Sequence, residues 1–123
     1  MTPTPHLQVG IALQNLMVAY RDANRPSDAE RVGLRALSII EQQKSPRHEH
    51  VAALLRTLIL VYVGQQKMAE AEPSMGRLIS IDEETDRSSL AGDYEAYSEI
   101  LRGLNRPAQA QEFDTRARRL REQ

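Results

Sequence analysis

The sequence contains no cysteine and carries almost no surplus charge, and each absence excludes a class of protein. Without cysteine the chain forms no disulfide, thiolate zinc site or thiol nucleophile, although this fits a reducing or an oxidising compartment equally well. Its 16 basic and 17 acidic residues nearly cancel, so no long-range field attracts nucleic acid or an anionic membrane. We therefore expect neither a nucleic-acid-binding nor a membrane-binding protein.

Long apolar segments and targeting signals are also missing. The most apolar stretch, residues 51–63, covers 13 positions, whereas a helix that crosses a bilayer needs about 20. The opening Met1-Thr-Pro-Thr-Pro5 lacks the basic and apolar regions of a signal peptide. At 123 residues the chain is expected to form one domain, with the cytoplasm as its default location.

Signals for catalysis or cofactor binding are sparse. The six glycines are scattered, and neither His-Glu-x-x-His nor Gly-x-Ser-x-Gly occurs. In His48-Glu49-His50 the two imidazoles point about 200° apart on a helix, so they do not readily meet at one ion. The acids from Asp82 to Asp86 are most simply a solvated loop. We predict no enzyme activity, no cofactor and no metal site.

What the chain does contain is one unit that occurs three times. Residues 20–30, YRDANRPSDAE, return as residues 62–72, YVGQQKMAEAE. The identical residues that an offset of 42 aligns include His6 with His48, Val9 with Val51, Leu13 with Leu55, Leu16 with Leu58, Tyr20 with Tyr62, Ala29 with Ala71, Arg35 with Arg77 and Ile39 with Ile81. A second offset of 39 residues aligns the second unit with residues 94–120, which keep the same pattern of side-chain sizes. Such a period predicts a stack of repeats.

Apolar residues within each unit recur at intervals of three and four, which indicates one buried helix face; in the first unit they are Leu13, Leu16, Met17 and Tyr20. Strand alternation is absent, so the fold class is all-α. We predict six helices near 6–23, 26–44, 47–64, 67–82, 87–103 and 106–121.

Chain breakers separate the helices of a unit. Asn24 and Asn105 suit the left-handed conformation that ends a helix, and each is followed two residues later by a proline that suits the first turn of the next helix. The residue before each proline, Arg25 or Arg106, is expected to be extended. Between units, Ser45-Pro46 and the acidic run after Ile81 predict further helix boundaries.

The spacing inside each unit resembles the tetratricopeptide repeat (TPR) family. Large residues, then a small alanine nine positions on, then another residue seven further, give the series Leu13, Leu16, Tyr20, Ala29, Ala36; Leu55, Leu58, Tyr62, Ala71, Leu78; and Tyr94, Tyr97, Leu101, Ala110, Ala117. The repeats of about 42 residues are similar to the kinesin-light-chain variety. The sequence motifs that characterise this variety resemble residues 48–52, HEHVA, residues 15–20, NLMVAY, and residues 71–73, AEP.

The resemblance implies a right-handed α–α superhelix of three hairpins, at about 6–44, 47–82 and 87–121. It also implies a non-catalytic scaffold that binds a protein or peptide segment in a concave groove lined by the first helix of each unit. The groove residues that we predict are Gln14, Asn15, Val18, Arg21, Arg56, Thr57, Leu60 and Val63. Amides at 14 and 15 can hold a peptide main chain, and Arg56 can take a carboxylate.

Three residues depart from the family pattern. Gly33 and Gly76 stand near positions where the family prefers a bulky side chain, at a cost of about 1 kcal/mol each relative to alanine. Either a neighbouring helix packs unusually close there or the space is poorly filled. Asp114 stands at a usually apolar position, so the third unit is predicted to act as a polar cap.

Two other hypotheses stay open. The chain could self-associate as an assembly module, a homo-oligomer, through residues 51–63 or through an open end of the stack. Alternatively, it could be the regulatory or C-terminal segment of a larger signalling enzyme. The terminal arginines from Arg116 to Arg121 are interpreted as partners of a helix C-terminus rather than as phosphate ligands.

Overall fold

The chain folds into α-helices, as the sequence predicts. The structure, a computed structural model, describes residues 5–42 and 48–123, and of residues 5–7 and 48 the backbone alone. The six helices are α1 (Pro5–Asp22), α2 (Pro26–Glu41), α3 (His48–Gly64), α4 (Met68–Thr85), α5 (Leu90–Gly103) and α6 (Pro107–Arg121). A 3-10 turn at Arg87–Ser89 precedes α5, and the described residues contain no strand. The predicted helix start at Ser45-Pro46 lies outside these residues.

The turns between the paired helices repeat one backbone geometry. Asn24, Gln66 and Asn105 have φ of 59°, 61° and 61°, in the left-handed region. The residues that follow them, Arg25, Lys67 and Arg106, directly precede the next helix and have ψ of 68°, 66° and 64°. Their spacing reproduces the offsets of 42 and 39. The prediction for the two asparagines is confirmed, and glutamine takes the same conformation in the second unit.

The alanines that follow these turns are fully buried. Ala29, Ala71 and Ala110 each expose 0% of their surface. The backbone amide of each alanine donates to the carbonyl oxygen four residues earlier, which belongs to Arg25, Lys67 or Arg106, at 3.0, 3.1 and 3.1 Å respectively. A methyl group at this position lets the helix approach its neighbour closely, which explains why a small residue recurs there.

The helices are distributed over two compact units. Unit 1 covers residues 1–65 and contains α1, α2 and α3, with α2 packed against both of the others and α1 also touching α3. Unit 2 covers residues 66–123, where α5 packs against α4 and α6. The second predicted hairpin therefore contributes α3 to unit 1 and α4 to unit 2.

The core of unit 1 is apolar and centred on α3. The most completely buried side chains include Met17, Ile40, Leu54, Leu55 and Leu58, each at most 2% exposed. Burial of a side chain of this size stabilises the fold by about 1.5–3 kcal/mol. Eight of the 13 residues of the apolar stretch at 51–63 are buried, Leu60 is exposed, and Ala53, Arg56, Thr57 and Val63 are half-buried. Self-association through this stretch stays a hypothesis.

Unit 2 mixes apolar, aromatic and acidic groups in its interior. The ring of Phe113 on α6 lies 5.6 Å from that of Tyr94 and 4.6 Å from that of Tyr97, measured between centroids. Two acids, Asp82 and Asp93, are only 1% and 5% exposed. Aromatic pairs at this separation add about 0.5–1.5 kcal/mol beyond the area that they bury.

The acidic run after Ile81 differs from the prediction of a solvated loop. Helix α4 continues through Thr85, and Asp82 is buried on its inner face. Only Asp86 leaves the helix, where the hydroxyl of Ser89 donates to its carboxylate at 2.9 Å and closes the 3-10 turn. Helical periodicity explains the outcome, because Asp82 stands four and seven residues after the buried Leu78 and Met75.

Candidate partner-binding surface of α1 and α3

The predicted groove residues of unit 1 lie on two helices that touch. Helix α1 carries Gln14, Val18 and Arg21 at helical spacing of four and three, on one face, with Asn15 further round. Helix α3 carries Arg56, Thr57, Leu60 and Val63 within one face of its own. Because α1 contacts α3, these faces belong to one body.

None of the eight predicted residues is buried. Asn15 and Leu60 are exposed, and at 57% Leu60 is the most exposed large apolar side chain among the residues that the structure describes. The other six, which are Gln14, Val18, Arg21, Arg56, Thr57 and Val63, are half-buried. A half-buried side chain is held in place by its neighbours while part of its surface remains available to a ligand.

Polar groups on this surface differ in how they are engaged. The hydroxyl of Thr57 donates to the carbonyl oxygen of Ala53 at 3.2 Å, within α3 itself. A Thr57 oxygen can therefore still accept a hydrogen bond, while its proton is already used. The guanidinium of Arg21 lies 3.6 Å from the carboxylate of Asp22, an exposed pair of adjacent residues that holds it only weakly.

Helices α1, α2 and α3 meet at Gly33. At Gly33 an added Cβ would overlap Sδ of Met17 and lie 3.5 Å from Cδ1 of Leu58. The methionine of α1 thus occupies the space that a side chain on α2 would fill, and α3 approaches the same glycine. Of the two readings of the glycines, close packing is correct for Gly33. At Gly76 a Cβ would meet no atom within 4 Å, so that position is open.

The corresponding helix of unit 2 engages its polar residues with α6. Arg102 donates to the carboxylate of Asp114 at 2.6 Å and to the hydroxyl of Ser98. The Arg102 guanidinium, and then the Ser98 hydroxyl, hold the pKa of Asp114 below its usual range. Asp114 is thus held by α5 in a partly exposed ion pair, and the polar cap stays a prediction.

A second polar cluster in unit 2 joins α4 to α5. The hydroxyl of Tyr97 donates to Glu72 at 3.1 Å, and Arg106 lies 3.5 Å from the same carboxylate. Partial burial, and then the negative charge of Glu72, raise the pKa of Tyr97 above its usual range. Sequence reasoning placed Tyr97 in the core and missed this bond.

The remaining sequence candidates take structural positions. Glu49 is exposed and lies 3.9 Å from the half-buried His50, while the side chain of His48 lies outside the description. Arg121 pairs with Glu95 of α5, and Arg116 pairs with Glu112 at 2.7 Å. Within the described ranges no group of three or more His, Asp or Glu side chains is arranged to hold a metal ion.

No helix among the described residues is both long enough and apolar enough to cross a membrane.

The sequence matches no known family model and no curated protein. The resemblance to tetratricopeptide repeats therefore rests on the residues quoted above and stays a prediction.

Proposed function

We propose that the chain is a non-catalytic scaffold that binds an extended protein or peptide segment on the surface formed by α1 and α3. One observation supports this proposal most directly. The residues that the tetratricopeptide resemblance assigns to the groove lie on two helices that contact each other, and none of them is buried. The proposal includes the stacking of all three hairpins into one right-handed superhelix, to which the three equal turns lend support.

The chemistry of the surface favours one kind of ligand. Gln14 and Asn15 each offer an amide that donates and accepts, which suits the main chain of an extended segment regardless of its side chains. Leu60 and Val18 offer apolar contact beside them, and Arg56 supplies a cation. We infer a segment with one apolar anchor and a carboxylate, bound with its backbone along the amides.

Peptide selection tests the proposal without knowledge of the natural partner. Random peptides displayed on phage are selected against the chain, and the affinity of the winning peptides is measured by isothermal titration. Leu60→Ala and Arg56→Ala are each expected to weaken binding about tenfold, which corresponds to about 1.4 kcal/mol. Asn15→Ala is expected to act in the same direction.

Arg35→Ala provides the matched control, because Arg35 is an exposed arginine of α2 in the same unit. Circular dichroism confirms that each variant is folded. If the peptides bind all four variants with unchanged affinity, or if only Arg35→Ala weakens them, the surface of α1 and α3 is not the binding site.

A further inference from the structure

One face of α1 is exposed and uncharged. It consists of four residues, Val9, Ala12, Leu16 and Ala19, which we call the outer face. Their spacing of three, four and three places them within about 80° around the helix. Val9 and Leu16 are 45% and 41% exposed, although the repeat pattern predicted Leu16 to be in the core. Residues 7–20 contain no charged side chain, so no charge within the length of this face keeps it solvated.

The same face is covered elsewhere in the chain. At the offset of 42, the outer face corresponds to four residues of α3 that are at most 2% exposed: Val51, Leu54, Leu58 and Val61. In unit 1 it is α2 that packs against α3, and Leu58 comes within 3.5 Å of the Cβ position of Gly33. The chain itself thus shows that a helix with small residues at the crossing is what covers Leu58, the counterpart of Leu16.

The outer face combines the two kinds of residue that meet in the contact between α2 and α3. It carries large apolar residues like those of α3, and its two alanines are small residues like those that α2 presents. Since it bears no charge, two copies of it can meet without placing like charges together. The exposed sides of α2 and α6 differ, because they carry charges such as Arg31, Arg35, Glu112 and Arg118.

The order of large and small residues selects an antiparallel arrangement. In an antiparallel pair of helices, residue numbers rise along one helix as they fall along the other, so residues that lie opposite each other have a constant sum. Ala12 opposite Leu16 therefore places Val9 opposite Ala19. Every large side chain then meets an alanine, which allows the helix axes to approach to about 8 Å. A parallel pair in register would place Leu16 against Leu16 and alanine against alanine, with gaps between the alanines.

We propose that the outer face of α1 binds the same face of a second copy of this chain, as an antiparallel pair about a two-fold axis. Helix α1 has 18 residues and is therefore about 27 Å long. A contact between two such helices falls at the small end of protein interfaces, so the dimer is reversible and forms in the micromolar range. The peptide-binding surface uses another side of α1 with one exception, Asn15, which stands next to Ala12 and Ala19 at the edge of the outer face.

Sedimentation velocity over a concentration series tests the dimer. The wild-type chain is expected to shift from monomer to dimer between about 1 and 200 µM. Leu16→Glu, which places two carboxylates in the contact, is expected to keep the chain monomeric throughout. Leu34→Glu is the control, because Leu34 is equally exposed, at 45%, but lies on α2. It is expected to leave the dimer intact.

Two outcomes overturn the proposal. One is a wild-type chain that stays monomeric over the whole series, which leaves the outer face to a helix of a different protein. The other is a dimer that survives Leu16→Glu or is lost with Leu34→Glu. Circular dichroism identifies a variant that has unfolded, and Ala12→Glu then replaces Leu16→Glu, because Ala12 is exposed on the same face.

Disulfide trapping tests the orientation separately, because the chain has no cysteine of its own. Copies with Val9→Cys are mixed with copies that carry Ala19→Cys, oxidised, and resolved by mass spectrometry. The mixed disulfide is expected to exceed both symmetric products, since a bridge requires Cα atoms within about 7 Å. A predominance of Ala19→Cys linked to itself would show parallel pairing and contradict the antiparallel register.

Discussion

Two crossings at the same place in the repeat are filled in opposite ways. In unit 1, Met17 of α1 fills the space left by Gly33 of α2. Offsets of 42 and 39 carry these positions to Ser98 of α5 and Asp114 of α6, which share Arg102 in a polar cluster. The first crossing is closed by one apolar side chain and the second by charge and hydrogen bonds. The repeat thus determines where two helices meet, but the residues that fill the space between them differ from one hairpin to another.

The largest effect is expected from removing the methionine. Met17 is 0% exposed, so Met17→Ala leaves a cavity and should lower the free energy of unfolding by about 2–5 kcal/mol. Ser98→Ala removes one hydrogen-bonding group at the equivalent position and should cost about 1 kcal/mol. Urea unfolding followed by circular dichroism measures both. Equal losses would mean that the two crossings do not differ as described.

Adding one methyl group to a glycine should have opposite effects in the two units. Gly33→Ala forces the new Cβ against Sδ of Met17 and should destabilise the fold by about 1–3 kcal/mol, even though alanine is the better helix former. Gly76→Ala meets no neighbour within 4 Å and should stabilise it by about 0.5–1 kcal/mol. Thermal unfolding of the two variants provides the measurement, and stabilisation by Gly33→Ala would contradict the close crossing.

Removing one hydroxyl from unit 2 should have a smaller effect. Tyr97→Phe loses the hydrogen bond to Glu72 but keeps the ring against Phe113, so the expected cost is about 0.5–1.5 kcal/mol. Tyr20→Phe on α1 is the control, because a ring contact with Arg25 at 4.8 Å survives the change. Urea midpoints distinguish the two. If Tyr20→Phe lowers the stability as much as Tyr97→Phe does, the hydrogen bond to Glu72 does not account for the effect.

The ion pair between Asp114 and Arg102 should make the stability of the fold depend on pH. Because the pKa of Asp114 is lowered on folding, its ionised form favours the folded state above the ordinary carboxyl pKa of 3.8. That contribution is lost as the pH falls through the lowered value. Asp114→Asn should therefore lower the melting temperature at pH 7 and have a diminishing effect as the pH approaches 3. A constant difference between the two proteins at both pH values would contradict the ion pair with Arg102.

Most of the local structure could be predicted from the sequence. Of the four helices whose starts lie inside the described ranges, three begin within one residue of the prediction. The left-handed asparagines are confirmed, and the alanine that follows each turn is buried. These features depend on neighbours along the chain: helical periodicity, a residue that tolerates positive φ, and a proline in the first turn. The fifth helix begins later because the hydroxyls of Ser88 and Ser89 bond to Asp86 and hold a 3-10 turn first.

The candidate surface was predicted in part. The repeat pattern placed Gln14, Val18 and Arg56 outside the core, where they are found, because the core face of a helix leaves a predictable remainder. It also placed Leu16 in the core, which is wrong at 41% exposure. Leu16 and Leu58 have the same pattern around them, and what differs is whether a helix covers them. Periodicity describes one helix and contains no information about its neighbour.

The sequence by itself determined the six helices, their turns and the alanines on which the turns close, because each of these depends on backbone geometry within a few residues. Only the tertiary structure decided that Met17 fills the gap at Gly33, that Asp114 binds Arg102, and that Leu16 faces solvent while Leu58 does not. Those outcomes depend on which side chains from distant parts of the chain compete for the same volume. A close-packed interior settles that competition through the shapes of all the neighbours together.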